Sequence, residues 1–135
     1  MTQPIHDLPT LLRELKPLLL EGEFVFCSVS PADEQPVLLK TPKATFWEEE
    51  GLSVIIERTE ADELGLVYDS VHRCITLQVH SSLMAVGLTA AVSSALAAAG
   101  LSANVVAAHH HDHVFVPAES ADEAQRILLA MVRVS

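Results

Sequence analysis

Aromatic residues are scarce in this chain. Four Phe, one Trp and one Tyr in 135 residues leave the core to be built from Leu, Val, Ile and Ala, which is feasible because half of the residues are hydrophobic. Basic residues are also few. Eight Lys and Arg stand against 18 Asp and Glu, a formal charge of −10. That balance excludes nucleic acid and anionic membrane surfaces as expected partners. Cysteine occurs twice, at Cys27 and Cys74, each inside an apolar strand-like pattern. Two buried free thiols fit a reducing compartment. The opening MTQPIHDLPTLL lacks a basic region followed by an apolar one, so no signal peptide is expected and the cytoplasm is the expected location. No Gly-rich phosphate loop, CxxC or GxSxG occurs, so catalysis has no support in the sequence and no cofactor is expected.

What is present is unevenly distributed. Residues 1–70 hold 14 acidic and 5 basic residues, whereas 71–135 hold 4 and 3. The first part reads as a solvated face and the second as the part buried in contacts. Between Cys74 and His111 there is no Asp, Glu, Lys or Arg. This run is long enough to raise the question of a membrane span, but Gly87, Ser93, Ser94, Gly100, Ser102 and Asn104 interrupt it, and strand chemistry follows directly. The length allows one domain or two very small ones, divided here as 1–70 and 71–135.

Along the chain, Asp7 and Pro9 suit the start of a helix. Leu8, Leu11, Leu12, Leu15, Leu18 and Leu19 continue it at helical spacing to Gly22, with Pro17 making the last turn irregular. Glu23–Val29 reads as a strand with Val25, Cys27 and Val29 on one face. Residues 30–43 read as a loop holding a short edge strand at Val37–Leu39. Ala44–Trp47 and Leu52–Ile56 form a hairpin, and Thr59 with Asp62 or Glu63 opens a short helix ending at Gly65. In the second part Cys74–Val79 is a strand, Ser81 or Ser82 caps a helix to Ala99, and Gly100 stops it. Leu101–Ala107 and Val114–Val116 are strands joined by a His-rich turn. Ser120 and Glu123 cap a helix over Ala121–Met131, and Val132–Val134 can close as a short strand.

The resulting fold class is α+β. The second part has the ferredoxin-like order βαββαβ, with antiparallel strands and helices on one face. The first part reads α-β-β-β-α, the same plan lacking its first strand. The run SSLMAVGLTAAVSSALAAAGLSANVVAAHHHDHVFVP resembles an ACT domain. GEFVFCSV, ATFWEEEGLSVII and ADELGL resemble the N-terminal companion half of small bacterial ACT-like proteins. One departure is that aromatic residues are expected just before His111-Asp112-His113, where this chain has His109 and His110.

The resemblance implies a ligand site. ACT domains bind effector amino acids where the turn matched by Ser81, Ser82 and Leu83 meets another domain, and an Asn near Asn104 contacts the effector, with strand backbone at Val105 beside it. The turn suits a carboxylate on physical grounds too, because a helix N-terminus exposes amides and partial positive charge. Ser82 serves equally well as a plain cap, and Asn104 as a turn residue satisfying its own backbone. Gly87, read one turn into the helix, costs about 1 kcal/mol relative to Ala. Either a close ligand or helix–sheet crowding accounts for it. Over residues 83–99 the helix is apolar nearly all round, so a second partner is expected to cover it.

The cluster His109-His110-His111-Asp112-His113 invites a metal site. On a straight strand His109, His111 and His113 would share one face, about 6.5–7 Å apart, and could hold a transition metal. A hairpin turn is required there, however, and it breaks that geometry, so a polar turn is the expectation and no metal. Glu48, Glu49 and Glu50 at a hairpin tip read as solvation. The sequence thus predicts a non-catalytic sensor of a small ligand, an amino acid by resemblance, that forms a homodimer or higher homo-oligomer. The alternatives are an interaction module without ligand and a metal-binding protein using the histidines.

Overall fold

A computed structural model describes residues 4, 7–30, 39–79 and 86–133. The chain divides into two compact units, Gly22–His72 and a second made of Met1–Glu21 with Arg73–Ser135. The segment through Glu21 therefore belongs with the C-terminal part of the sequence and not with the residues that follow it.

The Gly22–His72 unit contains β2 (Phe24–Val29), β3 (Ala44–Glu48), β4 (Gly51–Glu57) and α2 (Arg58–Leu64). The strand order is β3-β4-β2, all antiparallel. His72 pairs with Phe24 on the other side of β2. The register sets Val25 opposite Ile56 and Cys27 opposite Val54. These side chains share the face that packs with Ala61 of α2, as the period of two requires. β2 thus lies between β4 and His72, where the plan places its first strand. Residues 31–38, between β2 and β3, lie outside the described residues. Val37 and Leu38 are among them, so the expected edge strand there is not described.

Two boundaries in this unit differ from the sequence reading. The hairpin extends one residue further on each side of its turn, to Glu48 and Gly51. The short helix begins at Arg58, with Glu57 before it and no side-chain cap, instead of being capped by Thr59. It does end at Gly65. Its Glu60 is buried, a carboxylate that accepts from the Lys40 amide at 2.5 Å and the Thr41 amide at 3.4 Å. A buried charge is tolerable when backbone donors surround it, and these tie the segment entering β3 to α2.

The other unit contains α1 (Leu8–Glu14), β1 (Lys16–Leu19), β5 (His72–Gln78, from Arg73 on), α3 (Leu88–Ala98), β6 (Asn104–Ala107), β7 (Asp112–Pro117) and α4 (Ala121–Arg133), with a 3-10 turn at Ala118–Ser120. Its strands run in the order β1-β5-β7-β6. Ile75, Leu77 and Val79 of the β5 segment alternate onto one face with Val114 and Val116 of β7. Leu11, Leu15, Leu88, Val92, Leu96, Ala124 and Leu128 cover that face. The spacing of Leu88, Val92 and Leu96 is one helical stripe.

Helix α1 is half the expected length. Its start is as read, with Asp7 accepting from the Thr10 amide at 3.0 Å. It stops because the residue before a proline is pushed out of the helical region and Pro17 has no N–H to donate. Leu15 is already extended, with ψ 132°. The chain then forms β1, paired antiparallel with β5 from Lys16↔Gln78 to Leu19↔Ile75. A four-residue strand with Pro17 is acceptable at this edge. The strand expected at Val132–Val134 is corrected through Arg133, while Val134 lies outside the described residues. Helix α4 continues through Arg133, and the place beside β5 is filled by β1.

Helix α3 begins at Leu88; Ser81 and Ser82, read as its caps, lie outside the described residues. Gly87 is its N-cap residue, with φ +107°. A Cβ there would sit 3.1 Å from Leu8 Cδ2. The glycine is thus required by a backbone conformation that L residues avoid, not by crowding within a helix. At the other end Gly100 has φ +76°, and the Leu101 amide donates to the Leu96 carbonyl at 3.0 Å, closing the helix as read. Facing outward, α3 carries Thr89, Ala90, Ser94, Ala97 and Ala98, all exposed. Gly87→Ala and Gly100→Ala should each lower stability by about 1–2 kcal/mol through backbone strain. Gly87→Ala should cost more, because Leu8 must also move. In a Leu8→Ala background that excess should vanish. Urea denaturation of the four chains, read as a double-mutant cycle, measures the coupling. An unchanged excess without the Leu8 side chain would place the cause elsewhere.

Candidate functional site

The candidate site lies where β5 ends and the chain passes toward α3. Ser81, Ser82 and Leu83, the residues matched to an effector-binding turn, lie outside the described residues. On either side of them the geometry is defined. β5 delivers Val79, buried, with Gln78 exposed before it. α3 starts at Gly87 without a side-chain cap among the described residues. Its first amides, at the positive end of an eleven-residue helix, are therefore suited to an anionic group.

The β6–β7 turn reaches the same end of β5. His111 Nδ1 lies 3.4 Å from the Val79 carbonyl. As a neutral tautomer with its proton on Nδ1, or as imidazolium, His111 donates to that oxygen. His113 Nδ1 lies 3.0 Å from the hydroxyl of Thr76, itself buried. The two imidazoles are thus engaged by β5 at different points along it. His109 and His110 stack edge to face, with centroids 4.8 Å apart. Among the described residues no three His, Cys, Asp or Glu side chains gather around a point where a metal ion would sit. The physical reason is the turn: His109 and His110 lie in the bend before β7, and His111 precedes the strand that carries His113.

Asn104 and Val105 open β6, where they pair with Phe115 and Val114. Asn104 is exposed and Val105 half-buried. The other end of the ladder is Ala107↔Asp112, next to His111. At about 3.4 Å per residue, Asn104 stands roughly 10 Å along β6 from Ala107. The end of β5 is therefore accompanied by His111 and Asp112, and not by Asn104. The sequence reading weighed a metal cluster for the histidines and expected a polar turn, without placing them at the end of β5. The signal for their placement was the ferredoxin-like order itself, which sets the second and third strands as a hairpin beside the first.

In the Gly22–His72 unit an open depression of about 420 Å³ is lined by Gly22, Glu23, Glu57, Arg58, Thr59 and Asp62. Its guanidinium is already committed. Arg58 donates to Glu23 at 3.1 Å and to the Tyr68 hydroxyl at 3.2 Å, and Tyr68 donates to Asp62 at 2.7 Å. These hydrogen bonds hold the Arg58 pKa up. Both cysteines are free and buried, and burial pushes the Cys27 thiol up, which makes it a poor nucleophile.

Burial also pushes the Asp112 carboxyl above its ordinary value, with the neighbouring His111 acting weakly the other way. A raised carboxyl pKa means the folded state prefers the protonated acid. Its contribution is full below the unfolded value and is lost as pH rises through the folded one. Asp112→Asn should therefore raise the melting temperature at pH 7 and leave it nearly unchanged at pH 3. Thermal melts of both chains across that range test the sign, and a variant less stable at pH 7 would reverse it.

Residues 3–73 match one family model described as ACT domain, and residues 69–130 match another of the same description. A Vibrio cholerae protein of unknown function, described as a possible transport protein, is similar over 90% of this chain and 93% of its own, at 41% identity and TM-score 0.77. An Agrobacterium tumefaciens protein covers 87% of this chain and 89% of its own, at 17% identity and TM-score 0.71. The regulatory subunit of aspartate kinase from Thermus thermophilus, ligand-free, shares the fold at 11% identity and TM-score 0.64, over 89% of this chain and 97% of its own. No curated protein matches. Among the described residues no helix is long and apolar enough to cross a membrane. With an ACT match in each part of the sequence, a tandem α+β fold and a relative 41% identical over most of its length, the chain belongs to the ACT domain family.

Proposed function

We propose that this chain is a non-catalytic regulatory protein that binds an amino acid and self-associates. The observation that carries the reading is the start of α3. It opens at a left-handed glycine with no side-chain cap among the described residues, directly after the connection from β5. The turn Ser81–Leu83 falls within that connection. An amino-acid carboxylate received there would meet backbone amides and the helix dipole, the elementary requirements for binding an anion in a chain of net charge −10. His111, held at the Val79 carbonyl, would stand at the ligand's edge. Asn104 and the Val105 backbone are set too far along β6 to serve the same end of β5, so they complete the site from across an interface between copies. The fold likeness to an aspartate kinase regulatory subunit supports a regulatory role. The effector would act by favouring the form that binds it better.

A thermal-shift screen of the full chain against the twenty amino acids, with chelator present, tests this. One or a few should raise the melting temperature saturably, on the order of 10 °C at a hundred times Kd. Asn104→Ala should abolish that rise while leaving the ligand-free melt near that of the parent chain, because Asn104 is exposed. If no amino acid shifts the melt at millimolar concentration, the sensing role is wrong.

A further inference from the structure

Among the described residues Glu60 is the only carboxylate that is buried, at 7% exposed. Burying a charge is costly unless it is paired and hydrogen-bonded. Glu60 sits beside Ala61, which packs in the apolar cluster of the Gly22–His72 unit. An apolar side chain at such a position commonly stabilises a fold as well as an ionised one does. The carboxylate is therefore placed for what it holds.

What it holds is a strap. Residues 39–43 lead into β3 with no helix or strand structure of their own. One oxygen of Glu60 accepts from the Lys40 amide at 2.5 Å. The other faces the Thr41 amide at 3.4 Å and the Thr41 hydroxyl at 3.5 Å. Among the described residues these two amides have no other acceptor. The further attachments are few. Leu39 is half-buried against the cluster of Val25, Cys27, Val54, Ile56 and Ala61. The Lys43 amide donates to the Ile55 carbonyl at 2.7 Å, at the foot of β3. Lys40 Nζ lies 3.8 Å from Glu63, with both side chains largely exposed, a pair that solvent screens and that adds little. Lys40, Thr41, Pro42 and Lys43 are all exposed. Helix α2 is anchored separately, by Ala61 in the cluster and by the hydrogen bonds of Arg58. A segment with little apolar burial and exposed backbone opens at a lower free energy than the sheet beside it.

We propose that residues 39–43 are a strap latched by Glu60, which opens and closes while β2, β4 and α2 stay folded. Closed, the latch sets where β3 begins. Open, the Lys40 and Thr41 amides pass to water, Leu39 leaves the apolar cluster, and water replaces the amide donors of the carboxylate. The strap and its latch lie wholly within the Gly22–His72 unit. They need no ligand, so their test is separate from that of the function proposed above.

Amide exchange in the full chain, followed by NMR and corrected for intrinsic rates, tests the latch. In the parent chain, low urea should leave exchange at Lys40 and Thr41 unchanged while it speeds exchange in the β2–β4 ladder, because local opening exposes little new surface. Glu60→Ala should speed exchange at Lys40 and Thr41 about 10- to 100-fold, the factor that a hydrogen bond to a charged group is worth. Glu60→Gln keeps a carbonyl oxygen as acceptor and should fall between the two. Glu63→Gln removes the exposed pair with Lys40 and should leave both amides within about threefold of the parent. Circular dichroism checks that each chain is folded, and the urea dependence of the parent decides by itself whether the strap opens locally. Strap amides that follow the urea slope of the ladder overturn local opening. A Glu60→Ala chain in which the ladder speeds and the strap does not, or in which neither changes, overturns Glu60 as the latch.

Discussion

The antiparallel pairing of Lys16–Leu19 with Ile75–Gln78 is the constraint on which the larger unit depends. It makes β5 an interior strand, with β1 on one side and β7 on the other. Residues Cys74 to Leu77 are accordingly buried without a break, the pattern of a strand covered on both faces. The pairing also lets the chain leave the sheet in a helix. α4 need not return as a strand, because the position it would fill is already taken, and it spends its apolar residues on the core instead. Gln125 on that helix reaches the Pro17 carbonyl at 3.5 Å, so strand and helix are tied directly. Had α1 run on to Gly22, Leu15 would have no strand to introduce and β5 would show an unpaired edge.

The same geometry locates the chemistry. A central strand delivers its end to the connection preceding α3, and the hairpin β6–β7 returns its turn to that end. His111 meets Val79 for that reason, while Asn104 is carried away at the far end of the ladder. In the function proposed above, a ligand that needs groups from two copies favours the state that brings them together.

The order of elements was legible in the sequence where the signals were local and strong. Gly100 after an apolar helix, Asp7 three residues before Thr10, and the shared face of Val25, Cys27 and Val29 each stand as read. The errors came where a long-range pairing overruled a local pattern. Leucines at positions 8, 11, 12, 15, 18 and 19 have helical spacing, and only the first three of them lie within the helix. Pro17 held the correcting information, but nothing local says that the residues around it pair with a strand more than fifty positions away. Val132–Val134 failed for the complementary reason: its β-branched residues suit a strand, yet the vacancy had been filled from the N-terminal side. Gly87 was read as a costly residue inside a helix; it stands before the helix instead, at a left-handed φ where glycine is the favoured residue, and sequence spacing does not reveal this. Residues 1–70 were read as a solvated face, yet Glu60 among them is buried, because the segment entering β3 passes over it and donates its amides.

The charge asymmetry has a structural counterpart. Most of the acidic excess lies in residues 1–70, and within the Gly22–His72 unit many of those carboxylates have assigned work. Glu60 binds the amides of Lys40 and Thr41, Glu23 and Asp62 hold Arg58 and Tyr68, and Glu48 accepts from the Ser53 hydroxyl. Glu49 and Glu50 are left at the exposed hairpin tip. A cluster of like charges at a strand end opposes association with any surface of the same sign. Lys43, exposed, flanks the other end of the same strand, so opposite charges bracket it.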